Sequence, residues 1–264
     1  MKLRSLFWLF CLCFTMCLMT GCGPTLKEYV AKSNNYVSQL STVSSPNVTI
    51  GDKKSGSDSG GVWGAIVSTV NTATSVAGYA VAREQEARLR NIVNPSSIAD
   101  IMACGFNDNF IDKTHLVYVN ADARPDLRVF LSVEDFGLYA ESMLSAMNFY
   151  LYADIKIVYT PELETIYHRK LVVEREASSV VSEMMNLSND ALQRLAADHA
   201  FMLHIIGFRE KMRLVGDVVS IAAGIASMQA FFDMTDEDVA VIFEYMAYDA
   251  GQTTSMRLVD DIYR

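Results

Sequence analysis

The side chains best equipped for chemistry here are five cysteines, four histidines and a knot of carboxylates near residue 235. Glu164 and His168 stand four apart, which on a helix puts a carboxylate and an imidazole on one face within reach of one metal ion. No third ligand lies near in sequence, and Arg169 and Lys170 follow at once, so the pair reads as part of a surface ion pair. His199 and His204 are five apart, a spacing that separates them on a helix or a strand, and both read as structural. Asp233, Asp236, Glu237 and Asp238 crowd four carboxylates into six residues, with Glu244 twelfth counting from Asp233. A calcium loop of the EF-hand kind needs glycine at its sixth position, where this chain has Asp238, so the cluster reads as a solvated turn. There is no glycine-rich phosphate loop, no Gly-x-Ser-x-Gly elbow and no His-Glu-x-x-His. Cys104 lies in the apolar run Ile101-Met102-Ala103-Cys104-Gly105-Phe106 and reads as an inert thiol. Spacing therefore assigns no catalytic residue, no metal ligand and no cofactor; a triad assembled from distant residues stays open.

The remaining reactive residue is Cys22, and the elements before it say what happens there. Lys2 and Arg4 give a cationic start, and Leu6 to Met19 carries no charge. That run is short of the roughly 20 apolar residues that span a bilayer and has the build of a removable signal peptide. It ends at Met19-Thr20-Gly21-Cys22, which resembles the lipobox of bacterial lipoproteins, with Met19 where that family usually has leucine. The resemblance implies that residues 1–21 are removed and that Cys22 is acylated as the new N-terminus. Gly23 stands where, in that family, an aspartate would retain the protein at the inner membrane, which implies the outer membrane of a Gram-negative cell. Two acyl chains suffice for stable anchoring at about 0.8 kcal/mol per buried methylene.

Without residues 1–21 the net charge moves from −9 to −11. So acidic a chain argues against nucleic acid and against electrostatic adhesion to anionic lipid. Cys11, Cys13 and Cys17 leave with the signal and Cys22 is modified, so Cys104 has no intrachain partner for a disulfide.

The elements expected downstream divide the chain into a lipidated tether over 22–61, a helical segment over 62–109 and an α/β domain over 110–264. Leu26 to Leu40 has helical spacing, while Ser41 to Gly61 is too poor in apolar residues to order itself. Val62 to Ala82 is uncharged with small residues at Gly64, Ser68 and Thr72. It reads as a helix packed on the domain, against a membrane-inserting or self-associating alternative. Pro95-Ser96-Ser97 caps a short helix through Cys104.

Strands are expected at His115–Asn120, Leu127–Val133, Asp154–Tyr159 and Ala200–Phe208. Helices are expected at Glu134–Ala153, on an aromatic stripe through Phe136, Tyr139 and Tyr150, and from Pro161 to Leu187. Ser188-Asn189-Asp190 caps another that ends near Asp198, and Val218–Phe232 reads as a buried helix or an insertion. At the C-terminus Thr235 and Asp238 form a capping-box pattern, yet Val239–Tyr245 is rich in β-branched and aromatic residues and Asp249-Ala250-Gly251-Gln252 reads as a turn. A hairpin is favoured there.

This order of pieces from 115 onward resembles an envelope lipoprotein family, that of the curli-export lipoprotein CsgG and the TolB-N-like lipoproteins that activate peptidoglycan synthases. The residues that carry it are Ile155–Tyr159 with Leu163, Ile166 and Glu174, the run Leu195–Leu203, and Asp249–Thr254. The fold expected is α/β, a mixed sheet flanked by helices, preceded by an N-terminal helical segment and a flexible tether. The function expected is that of an outer-membrane lipoprotein acting as a non-enzymatic interaction or assembly factor, with the membrane and an envelope protein as partners and a homo-oligomer as a further option. The alternative is a lipid-anchored periplasmic hydrolase with a dispersed active site.

Overall fold

Strict alternation of apolar and polar residues sets the framework. In the computed structural model, which describes residues 25–42, 45–50, 73–120, 122–142, 144–215 and 227–264, three long antiparallel strands form the centre. They are β4 (Leu127–Ala140), β5 (Asn148–Tyr159) and β6 (Glu164–Glu176). Val129, Leu131 and Val133 of β4 point to one face with Ile155, Ile157 and Val173, all fully buried or nearly so. The opposite face carries Arg128, Phe130 and Ser132 beside Asp154, Lys156, His168 and Lys170, and is partly open to solvent, as antiparallel sheets allow.

Three shorter strands complete a six-stranded mixed sheet. β1 (Asn35–Thr42) runs parallel to the first half of β4, and β2 (Asn47–Ile50) parallel to its second half. β3 (Val117–Tyr118) pairs with the start of β1. A register shift between Val133 and Asp135 leaves Glu134 as an extra residue, a bulge that moves the inward set from Val133 to Phe136.

Helices cover the apolar face. After α1 (Leu26–Lys32) come α2 (Ala73–Ile92) and α3 (Pro95–Lys113); α4 (Ala177–Asn186), α5 (Asn189–Asp198) and α6 (Met202–Val215) follow β6; α7 (Met228–Phe232) and α8 (Asp236–Tyr263) close the chain. The core has two parts. One joins Val133, Phe136, Phe149 and Leu151 to Met102 of α3 and to Val239, Ile242 and Phe243 of α8. The other joins Leu127, Val129, Ile155 and Ile157 to Phe106 and Phe110 of α3 and to Leu258 and Ile262 of α8. α3 and α8 cross at two glycines. A Cβ on Gly105 would meet the Tyr248 carbonyl oxygen at 2.1 Å, and one on Gly251 would meet that of Met102 at 2.2 Å.

The α/β class with a helix-flanked mixed sheet stands as expected, and several elements differ. The helix expected at Glu134–Ala153 is the end of β4, a turn and the start of β5; the bulge and turn gave its aromatics a helical spacing by accident. The helix expected from Pro161 is a turn and β6, an edge strand whose charged outward residues hide the alternation, and only Ala177–Asn186 is helical. The strand expected at Ala200–Phe208 is a turn at Ala200 and Phe201 followed by the start of α6. The C-terminal hairpin is one helix of 28 residues, because burial of Val239, Ile242 and Phe243 outweighs their β propensity. The strand at His115–Asn120 shrinks to two residues, the helix ending near Cys104 continues to Lys113, and the cap of α3 is Asn94.

At the other end of the chain, the helical stretch Leu26–Leu40 is helical only to Lys32, where Ser33 breaks it and β1 begins. Within the expected spacer, Asn47–Ile50 is a sheet strand. Residues 51–72, which hold the rest of the spacer and most of Val62–Ala82, lie outside the described residues, as does 216–226 of the uncharged C-terminal run. Among the described residues no helix is long and apolar enough to cross a membrane.

Candidate functional site

Cys22, the one site residue assigned from sequence, lies outside the described residues, but the chain's entry into the fold does not. α1 starts at Leu26, held by a capping box in which Thr25 Oγ1 accepts from the Glu28 amide and Glu28 accepts from the Thr25 amide at 2.9 Å. Tyr29 on this helix donates to Glu164 Oε2 at 2.6 Å and packs its ring against Tyr159, tying α1 to the β5–β6 turn. Lys27 places its ammonium over the Tyr263 ring, 6.0 Å from its centre, which brings in the end of α8. Asp126 Oδ2 accepts from the Asn34 amide at 2.7 Å and joins the start of β4.

One end of the sheet therefore gathers α1, the 160–163 turn, the last turn of α8 and β3. It also carries exposed apolar residues: Leu163 is 80% exposed, Val117 62%, Tyr263 45% and Tyr118 44%. Leu163 further adopts a left-handed φ of 53°, an unfavourable conformation for a leucine, at the tip of the turn.

The histidines find separate partners. His115 Nε2 lies 2.8 Å from the Ser33 carbonyl. His168 is on the outer face of β6 and pairs with Asp154 of β5 at 2.9 Å, not with Glu164, since four residues of strand span about 13 Å. His204 faces Glu244 at 3.4 Å, and burial raises the proton affinity of that carboxyl. His199 Nε2 stands 2.8 Å from Asp108 Oδ2, which also accepts from the Tyr248 hydroxyl at 2.8 Å; Gln252 in turn donates to Tyr248 at 3.2 Å. Asp108, Tyr248 and Gln252 border an open hollow together with Asn109 and Asp198, while His199 is not among the residues that line it.

Sequence reasoning missed that last cluster. Its members are 91 and 140 residues apart, and only the packing of α3, α8 and the end of α5 unites them. A histidine polarised by a carboxylate can move a proton, but acyl or phosphoryl transfer by the covalent route also needs a nucleophile. Among the described residues no histidine is hydrogen-bonded to a serine or threonine hydroxyl or to a thiol. Cys104 lies one helical turn before Asp108; burial first, then the negative charges of Asp108 and Asp100, push its thiol up to about 11, which disfavours the thiolate.

The acidic knot is a solvated turn only in part: Asp233 lies in an exposed turn, and Asp236 to Asp238 are helical, with Asp238 buried. Thr235 caps α8, its hydroxyl accepting from the Asp238 amide at 3.3 Å, and Asp236, Glu237 and Asp238 fill the first turn, where the helix dipole favours them. Asp238 is buried and takes the Lys211 ammonium at 2.7 Å, and Asp236 pairs with Arg88 at 2.7 Å. Among the described residues no three of His, Cys, Asp and Glu converge as a metal would require.

No protein-family model matches the chain, and no curated protein matches it. Among solved structures it is similar to protein XCC0632 from Xanthomonas campestris, described under the family model DUF330. That likeness is 12% identity over 85% of this chain and 88% of that one, with a TM-score of 0.33. A likeness of that size carries no argument about fold or function.

Proposed function

We propose that the protein is a bacterial envelope lipoprotein, held at the outer membrane by acyl chains on Cys22, whose α/β body is a non-enzymatic interaction or assembly factor for another envelope protein. The observation that carries this reading is the place where the chain enters the fold. Four residue steps separate Cys22 from Leu26, at most about 14 Å of extended chain. Lipid on Cys22 thus holds the body against the bilayer, without the long spacer expected from composition. The end of the sheet at that entry is the one with Leu163, Val117, Tyr118 and Tyr263 exposed, and tyrosine is enriched at bilayer interfaces. The opposite end, where β6 leads into α4 and the β4–β5 loop exposes Leu144, then faces away from the membrane and meets the partner.

The hydrolase alternative rests on the Asp108–His199 pair, which has Tyr248 beside it and no bonded nucleophile among the described residues. Photo-crosslinkers placed at Leu144, Leu203 and Leu163 in native membranes separate the readings. The expected result is a discrete protein adduct from Leu144 or Leu203 and lipid adducts from Leu163. Turnover of a substrate by the purified protein, lost in His199→Ala, would instead establish the hydrolase.

A further inference from the structure

One side of α6 carries apolar residues that nothing in the fold covers. Met202, Ile205 and Phe208 of this helix are buried, whereas Leu203 is 60% exposed and Leu214 89%. With Gly207 these two leucines follow a spacing of four and seven, which puts all three on one line of the helix, on the side away from the core. Glycine inside a helix is unfavourable relative to alanine, and packing within the chain gives no reason for it here. A Cβ on Gly207 would meet nothing within 4 Å among the described residues. Such a position suits the close approach of a second backbone.

That line borders an open groove of about 530 Å³ between α6 and the start of α8. Phe208 and Val241, both buried, form its floor, and Gly207 and Ala240 are the smallest residues along it. Two ion pairs join the helices at its ends: His204 with Glu244 at 3.4 Å, and Lys211 with Asp238 at 2.7 Å. Glu237 adds a third carboxylate at the rim. Three carboxylates thus stand against at most two cations, and the groove is net negative whichever state His204 takes.

We propose that this groove receives a cationic amphipathic helix of the partner protein, which lays a large apolar side chain over Gly207 and its basic residues beside Glu237 and Glu244. The leucine line supplies the seam, the missing side chain at Gly207 the room, and the carboxylates the sign of the charge. A second copy of this chain would instead bring the same carboxylates against one another. The bilayer is remote as well: 19 residues of α8 separate Glu244 from Tyr263, about 28 Å of helix from the end placed at the membrane. The inference rests on the reading of the protein as an interaction factor, and names the surface and the chemistry of its partner.

The test uses a fluorescent peptide of leucine and lysine, about five helical turns long, patterned to put the leucines on one face. It is titrated with the full-length protein held in phosphatidylcholine nanodiscs, with empty discs as the blank, and read by anisotropy. The expected result is a saturable rise above the blank. Gly207→Leu, which fills the groove at an open position and leaves every charge in place, weakens binding about tenfold without lowering Tm. Glu237→Lys, at an exposed position, weakens it in the same direction, and so does replacing the peptide's lysines by glutamate. No saturable rise, or affinity unchanged by Gly207→Leu or by the glutamate peptide, overturns the proposal. A dimer of the protein in sedimentation that Gly207→Leu dissolves also overturns it, by assigning the groove to a second copy. Where the peptide fails while a crosslinker at Leu144 captures protein, the groove alone is lost; no protein adduct from Leu144 or Leu203 removes the broader reading with it.

Discussion

Asp249 is a charged group placed where water barely reaches. It is 7% exposed on α8, and burial pushes its carboxyl up to about 6, opposed by Arg175 and reinforced by Glu183. Arg175 Nε stands 3.2 Å from Oδ2, near enough for ion pairing but not aligned as a hydrogen bond, and Oδ2 has no hydrogen-bond partner. The folded state therefore holds this proton more tightly than the unfolded chain, whose aspartates titrate near 4. Stability falls as pH rises from about 4 to about 6, and the loss is complete above that window. Asp249→Asn removes the ionisation, and Arg175 keeps Glu183 at 2.7 Å. Chemical denaturation should find this variant more stable by about 3 kcal/mol at pH 7.5 and within about 0.5 kcal/mol of wild type at pH 4. A variant less stable at pH 7.5 would mean that pairing with Arg175 outweighs desolvation. Nothing in the neighbourhood of Asp249 in the sequence announces any of this, since Arg175 is 74 positions away and the acid reads there as a turn residue. The apolar run around Cys104 predicts a buried thiol; the structure leaves it half-buried against the core, where desolvation still raises its proton affinity.

At the scale of elements, the crossing of α3 and α8 is the most demanding contact. Alanine ordinarily improves a helix over glycine by about 1 kcal/mol. Here the sign reverses, because an added methyl at Gly105 or Gly251 collides with the backbone of the opposing helix. Gly105→Ala or Gly251→Ala should each destabilise by about 3 kcal/mol in urea unfolding. A neutral effect would show that the helices can separate freely. In the sequence Gly251 reads as part of the turn Asp249-Ala250-Gly251-Gln252, and its role becomes visible only with α3 laid across it. Capping signals were legible at Ser188 and Thr235, since they depend on residues three apart. Strand β6 was not legible, since an edge strand keeps its charges outward and its partners lie elsewhere. The Glu134 bulge likewise broke the period of two on which β4 would have been traced to its end.

At the scale of the molecule, composition predicted a tether over 22–61, yet Leu26–Lys32 packs as a helix and Asn35–Ile50 supplies two strands to the sheet. Polar, serine-rich residues could join because parallel pairing with β4 satisfies their backbone whatever their side chains. The whole account turns on lipid at Cys22 placing a body with net charge −11 within about 14 Å of a bilayer it would not otherwise seek. Intact-mass spectrometry of the native protein, set beside fractionation of Cys22→Ser, tests this directly. The account predicts a chain that begins at residue 22 with the added mass of acyl chains and stays with membranes, and a Cys22→Ser form that is no longer acylated and leaves the membrane fraction. A wild-type N-terminus free of lipid, or a Cys22→Ser form equally membrane-bound, would contradict it.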